Sequence, residues 1–299
     1  MQQLSNQERL RPWMGAVLAV VSILALLFAG SAMQKAWGLI GLITTELMFL
    51  LIAVAYCLIF RVRLKEVFPI RRITGREFGG VMLFLAGGYG ASMIAIGLSM
   101  TVLPSSIEEI EGLYDYLYQG NSLLILIPVA AIFPAICEEA IMRGAILSSF
   151  RSLKKDWLIV LIVGVTFGIF HLSPLRFLNT AILGMLLSYL MVKRNNILLP
   201  MLLHFLNNLI AVAVSAFSGV LSEALPSESI MASLNATPPM QLLGTYLVMG
   251  VTCPILITLG AMLISPETHC KKRFLFAGIA SGVLFTTGIT LLVLSAALY

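Results

Sequence analysis

The chain has 299 residues, of which 59% are hydrophobic and only 11% are charged, and its formal net charge is +5. Soluble domains carry about 25% charged residues, so this composition, with a mean hydropathy of +0.99, excludes a soluble protein. The apolar runs have the length of transmembrane helices, roughly 20 residues, and lack the short alternating pattern of outer-membrane barrels. The sequence therefore predicts an all-α, polytopic bundle of transmembrane helices that forms one integral membrane domain over residues 1–299.

Nine apolar segments follow one another along the chain, and the fifth and sixth are so short that the predicted number of spans is eight or nine. The first segment follows Arg9 and Arg11 and is longer than a signal-peptide core, so we expect an uncleaved helix. Four cysteines lie in or beside spans at no metal-ligand spacing and are expected to pack without disulfides. The predicted spans are 13–33, 38–60, 79–103, 122–148, 157–172, 176–192, 197–218, 241–264 and 274–297.

The basic residues follow the alternation of these spans, because positive charge gathers on cytoplasmic loops. Only Lys35 and Arg176 fall on the other side, and Arg143 lies within a span. We therefore expect a multi-pass protein of the plasma membrane with a cytoplasmic N-terminus, and the net charge needs no nucleic-acid partner. The residues placed in the cytoplasm are Arg9, Arg11, Arg61, Arg63, Lys65, Arg71, Arg72, Arg76, Arg151, Lys154, Lys155, Lys193, Arg194, Lys271, Lys272 and Arg273.

Ionisable residues within the predicted spans are few. Each is costly to place in a bilayer and by default suggests a functional site. A lone buried histidine is more often an ordinary core residue, but two histidines together with a carboxylate pair favour a site. The residues concerned are Glu46, Glu138, Glu139, Arg143, His171 and His204, with Asn207 and Asn208 beside the last.

Spacing separates the two adjacent glutamates. Glu139 and Arg143 are four residues apart, with the acid N-terminal to the base, which predicts an ion pair within one helix. Glu138 points elsewhere and has no partner nearby in the sequence. A desolvated carboxylate without a cation is suited to exchange protons near neutral pH, so Glu138 is the candidate general base.

Two further motifs place polar groups on helix faces. In "FGIFH", Phe167 and His171 are four residues apart, and in "HFLNN" His204 is four residues from Asn208 and three from Asn207. Spacing alone does not choose between the asparagines. A carboxylate, two imidazoles and an amide from three helices can activate a water and stabilise an oxyanion. The same glutamate and histidines could instead ligate a divalent metal such as Zn²⁺ with one position open.

Together these three stretches resemble the CAAX-protease and bacteriocin-processing family of intramembrane endopeptidases, also called the Abi family. Its pattern is EExxxR, then FxxxH, then HxxxN or HxxxD, in separate hydrophobic spans. The matching stretch covers about residues 122–215, which is the expected catalytic core. The matches are Glu138, Glu139 and Arg143, then Phe167 and His171, then His204 and Asn208.

The resemblance implies a recessed polar active site that hydrolyses a peptide bond of a membrane-associated substrate. Some members of the family trim prenylated CAAX proteins after the modified cysteine. The resemblance assigns water activation to Glu138 and His171. It assigns oxyanion stabilisation to His204 and Asn208, and it favours Asn208 over Asn207. The glutamate–arginine pair has a supporting role, and a catalytic metal on the glutamate and histidines stays an open alternative.

Two other classes of function also remain open. A proton-coupled secondary transporter places acids and histidines in its spans, and Glu46 suits this class best, although no half-repeat is visible. Glu46 could equally be a buried acid bonded to Thr44 or Thr45. A catalytically silent protein of the bacteriocin-immunity type would keep the fold alone. HExxH, GxGD and GxSG are absent, and the thiol of Cys137 in apolar surroundings is a poor nucleophile.

The depth of the candidate residues imposes one condition on the protease hypothesis. Glu138 and His204 are expected in the cytoplasmic half of the bilayer, whereas His171 ends the fifth span and would lie nearer the outer face. The three can meet only if the fifth helix is short, tilted or recessed. We predict a recessed short helix, because a cavity for substrate and water requires non-uniform spans.

Overall fold

The computed structural model describes residues 9–103, 121–224, 237–266 and 270–298, apart from the side chains of 218–224 and 270. It confirms the predicted helical bundle, and the described ranges contain no strand. Within these ranges, eight helices are long and apolar enough to cross a membrane, and α5 is the shorter exception. The main helices are α1 Pro12–Trp37, α2 Leu39–Ile59, α3 Gly75–Val102, α4 Leu123–Leu153, α5 Asp156–Phe170, α6 Pro174–Arg194, α7 Leu198–Ala224, α8 Pro239–Ile264 and α9 Cys270–Leu298.

The two short predicted segments differ in the structure. The sixth, predicted over 176–192, is the 21-residue helix α6 and is long enough to span. The fifth, predicted over 157–172, is the 15-residue helix α5. At 1.5 Å per residue α5 is only about 22 Å long, against a hydrocarbon core of about 30 Å. The prediction of a short fifth helix is therefore confirmed.

Helix α4 lies at the centre of the bundle. Ile141, Ala145 and Ile146 are completely buried, and Ser149 accepts or donates a 2.7 Å hydrogen bond with the hydroxyl of Tyr56 on α2. The cysteines Cys57, Cys137 and Cys253 are buried and free, as predicted, and the side chain of Cys270 lies outside the described part. A helix buried on this scale can hold polar groups away from both lipid and bulk water.

Proline makes α4 irregular where it carries the glutamates. Two π-helical segments, Ile127–Ile132 and Ala140–Ile146, flank one α-helical segment, Phe133–Glu139. Pro134 has no N–H to donate to the carbonyl of Ala130 four residues earlier. That carbonyl is therefore available to another helix. Such π-helical turns are frequent at functional sites.

A sharp turn after α5 brings the chain back antiparallel as α6. Leu172 adopts φ +52°, and Ser173 caps α6 by accepting a 3.1 Å hydrogen bond from the backbone N–H of Arg176. Pro174 follows at the first position of the helix, where its missing N–H costs nothing. The two helices pack closely through Gly164 and Gly184, where an added methyl group would collide with the opposing backbone. The turn sets the position within the bundle at which α5 ends.

One end of the bundle collects the basic loops. Lys193 pairs with Asp156 at 2.7 Å, and Arg194 pairs with Glu77 at 2.6 Å. The guanidinium of Arg9 donates to the backbone carbonyl of Arg61. These contacts bring together the segments before α1, α3, α5 and α7, as the alternation of spans predicted. The alternation of spans places two segments with acidic residues, 105–121 and 220–239, on the outer side, and these lie largely outside the described residues. The third histidine, His269, also lies outside them.

Candidate active site

The predicted ion pair between Glu139 and Arg143 is confirmed. Nη1 of Arg143 donates to Oε1 of Glu139 at 2.8 Å, and both side chains are completely buried. Nη2 of Arg143 donates to the carbonyl of Gly184 on α6 at 2.9 Å. The guanidinium carbon lies 4.4 Å from the ring centroid of Phe167 on α5. Arg143 therefore joins α4, α5 and α6 as well as neutralising its neighbour.

His204 is held by the same glutamate oxygen. Its Nδ1 lies 2.9 Å from Oε1 of Glu139, which also accepts from Arg143. An ionised carboxylate can only accept, so Nδ1 of His204 donates. The other ring nitrogen, Nε2, lies 3.9 Å from Oε2 of Glu138, beyond hydrogen-bonding distance. The contact with Glu139 thereby orients Nε2 of His204 towards Glu138.

His171 is oriented by its own helix. Its Nδ1 lies 2.8 Å from the carbonyl of Phe167, and because a carbonyl only accepts, Nδ1 carries the proton. The lone pair of Nε2 is then available to the cavity. The ring centroid of Phe167 lies 4.7 Å from that of His171 and 5.7 Å from that of His204. Phe167 therefore packs between both imidazoles and Arg143, a central position that the motif alone did not indicate.

Asn208 is fixed by the irregularity of α4. Its Nδ2 donates at 3.1 Å to the carbonyl of Ala130, to which Pro134 has no N–H to donate. Its Oδ1 accepts a 3.1 Å hydrogen bond from Nδ2 of Asn207. The second N–H of the Asn208 amide takes part in neither of these contacts. Both asparagines line the same cavity, so each lies close to the candidate residues.

One cavity of about 500 Å³ is lined by most of the residues that the sequence singled out, whereas Glu139 and Arg143 lie behind its wall in completely buried positions. The short helix α5 satisfies the depth condition, because it ends at Phe170 and leaves His171 facing this cavity rather than the far side of the bundle. The lining also includes side chains outside the predicted core of 122–215, on α1, α2 and α3. The polar lining residues are Gln34, Glu46, Tyr89, Ser92, Glu138, His171, Arg176, Asn179, Thr180, His204, Asn207 and Asn208.

Glu46 lines the same cavity, although the sequence had associated it with a transporter or with a hydrogen bond to Thr44 or Thr45. The hydroxyls of Thr44 and Thr45 donate to the carbonyl of Gly41 and not to Glu46. Its carboxyl group instead lies within hydrogen-bonding reach of Glu138 across the cavity. Oε2 of each glutamate is shielded and has no donor among the described residues. Two carboxyl groups can bond to each other only by sharing a proton, so these two acids behave as a pair.

The donor atoms around the cavity bear on the alternative of a bound divalent metal. Among the described residues no three His, Cys, Asp or Glu side chains converge in a way that would hold a metal ion. Both Nδ1 atoms donate to protein acceptors, so of the ring nitrogens only the two Nε2 atoms could ligate an ion, and that of His204 lies 3.9 Å from Oε2 of Glu138. The divalent metal that the sequence left as an alternative stays a prediction, and we derive no catalytic step through it.

Fold and site together define a class: a helical membrane protein whose buried cavity presents a carboxyl pair, two imidazoles and an amide. Residues 120–210 match the family model described as Rce1-like, type II CAAX prenyl endopeptidase Rce1-like. The match spans just under a third of the chain, contains every residue of the three motifs, and confirms the resemblance to the CAAX proteases. It supports a protease, and thus a hydrolase. No curated protein and no solved structure matched the chain.

Proposed function

We propose that the protein is an intramembrane endopeptidase that hydrolyses a peptide bond of a membrane-associated, CAAX-type substrate. One observation carries this proposal. Glu138, His171, His204 and Asn208 come from α4, α7 and the end of α5 and line one cavity of about 500 Å³. Pockets of roughly 300–1,000 Å³ accommodate small ligands, so this cavity suits a short peptide segment. We also propose that the basic end of the bundle faces the cytoplasm.

The first step is attack by water on the scissile carbonyl carbon. We assign the carboxylate of Glu138 as the base, with the lone pair on Nε2 of His171 as a second acceptor for the same water. As the water oxygen forms its bond to carbon, one water proton passes to Glu138. A positioned acid–base group of this kind contributes about 10²–10⁴-fold to a rate. The neighbouring carboxyl group of Glu46 orients Glu138 through the proton they share.

The second step is stabilisation and collapse of the tetrahedral intermediate. We assign hydrogen-bond donation to the oxyanion to two groups, the remaining N–H of Asn208 and a proton on Nε2 of His204. Because Nδ1 of His204 already donates to Glu139, this role requires a proton on both ring nitrogens of His204. The carbon–nitrogen bond then breaks, and the proton held by Glu138 passes to the leaving amine. Glu138 is thereby returned to its ionised state.

The experiment uses the full-length protein reconstituted into liposomes. The substrate is a farnesylated peptide with three residues after the modified cysteine, and the vesicle lumen holds a pH-sensitive dye. We expect release of the three-residue peptide without peptide-independent proton flux, and no release from the His171→Ala protein. Proton flux without cleavage would support a transporter. The absence of both would support a catalytically silent protein.

Replacing Asn208 by alanine should lower kcat by about 10²–10³-fold, the effect of removing one oxyanion donor. Its neighbour supplies the matched control. Asn207→Ala removes only the 3.1 Å hydrogen bond to Oδ1 of Asn208 and keeps the backbone carbonyl that accepts from the Tyr89 hydroxyl at 2.9 Å. We therefore expect a smaller loss for Asn207→Ala. Equal losses in kcat would contradict the assignment of Asn208 to the oxyanion.

A further inference from the structure

Arg176 is a cation that the proposed mechanism does not use. It is one of only two basic residues that the alternation of spans placed away from the cytoplasm, the other being Lys35. The structure places Arg176 in the first turn of α6, where it lines the cavity that holds Glu138 and His171. A charge inside a membrane protein is costly and indicates a functional contact by default.

The surroundings of Arg176 favour an anion. It lies close enough to interact electrostatically with both Glu138 and His171, so it is near the reacting groups. Its helix is 21 residues long, and the positive end of the helix dipole lies at its own turn. A guanidinium has five N–H donors, so Arg176 can keep its contacts within the protein and still bind a carboxylate in a two-point geometry.

The buried ion pair of the site is formed by Glu139 and Arg143. Glu139 already accepts from Arg143 and His204 through one oxygen, and these contacts are completely buried. The cavity wall nearby combines apolar side chains, such as Met93 and Leu183, with the amide of Asn179. Such a wall suits a short peptide that has apolar side chains and one terminal anionic group.

We propose that Arg176 binds a substrate carboxylate lying within a few residues of the scissile bond, namely the free C-terminal carboxylate of the peptide. This inference rests on the proposed function, because a CAAX-type substrate ends shortly after the bond that is cut. Arg176 is then a specificity-determining residue, which restricts cleavage to bonds close to a chain end. An acidic side chain near the bond would present the same chemistry, and the experiment separates the two sources.

Binding is measured on the full-length Glu138→Gln protein in liposomes, so that the result does not depend on turnover. Three farnesylated peptides are compared: one with a free C-terminus, one with a C-terminal amide, and one amide that carries glutamate at its last position. We expect the free acid to bind about 10- to 100-fold more tightly than the plain amide, the range for one hydrogen-bonded charge. The additional Arg176→Gln change should bring that ratio close to one, whereas Arg176→Lys should leave it intermediate.

Lys35→Gln is the matched control, because it removes the other basic residue on the same predicted side, and Lys35 is exposed and does not line the cavity. It should leave the acid-to-amide ratio at its starting value. A ratio that persists in the Arg176→Gln protein, or equal weakening of all peptides, would overturn the proposal. Tighter binding of the glutamate-bearing amide than of the free acid would do so as well. Failure of the proposed function would instead appear as absent cleavage by the unmodified protein.

Discussion

Replacing Glu138 with glutamine is expected to lower kcat for cleavage of the farnesylated peptide by about 10²–10⁴-fold, the contribution of a positioned general base. Glutamine has nearly the same shape and can still bond to Glu46, but it cannot accept the proton of the attacking water. The protein should therefore accumulate normally. The measurement is the initial rate of peptide release, divided by the amount of folded protein in the liposomes.

Glu66→Gln supplies the control for this substitution. Glu66 lies in the four-residue helix Leu64–Val67 between α2 and α3, where it forms an exposed 3.2 Å ion pair with Arg63. Removing that carboxylate changes the net charge equally but leaves the cavity untouched, so kcat should stay at its original value. Full activity of the Glu138→Gln protein would contradict the assignment of Glu138 as the base.

Replacing Arg143 with methionine is expected to destabilise the protein by about 3–5 kcal/mol, because Glu139 would remain as a buried charge without its cation. The change also removes the 2.9 Å hydrogen bond to Gly184 and the contact with the ring of Phe167. Accumulation in the membrane should fall sharply. The measurement is the yield of folded protein and its thermal unfolding temperature in detergent.

Two further variants separate this buried pair from ordinary ion pairs. Arg63→Met breaks the exposed pair with Glu66, and such surface pairs contribute only about 0–1 kcal/mol. Adding Glu139→Gln to Arg143→Met removes the stranded charge and should recover part of the lost stability. Stability of Arg143→Met equal to that of Arg63→Met would show that the buried pair does not hold α4, α5 and α6 together.

The helices could be predicted from the sequence because each follows from local composition. An apolar run of about 20 residues with polar ends specifies a span wherever it occurs, and the predicted bounds of α2, at 38–60, differ by one residue from Leu39–Ile59. The short α5 could also be inferred, since Ser173 and Pro174 begin a new helix directly after His171. The irregular course of α4 was not predicted, although Pro134 was its signal.

Within the site, contacts inside one helix were predictable and contacts between helices were not. Spacing identified the pair of Glu139 and Arg143, which are four residues apart. It could not show that His204, 65 residues later, bonds to the same oxygen. Glu46 illustrates the limit most clearly, because only the packing of α2 against α4 brings it to Glu138. Two lone acids in separate spans were the available signal.

The most direct measurement of the central claim is peptide cleavage by the purified, liposome-reconstituted protein in ¹⁸O-labelled water, analysed by mass spectrometry. If the carboxyl pair and the two imidazoles activate water to hydrolyse the peptide bond, the new C-terminal carboxyl group will carry one ¹⁸O atom after a single turnover. The Glu138→Gln protein will yield no such product on the same timescale. An unlabelled product, or equal labelled product from both proteins, would contradict the account.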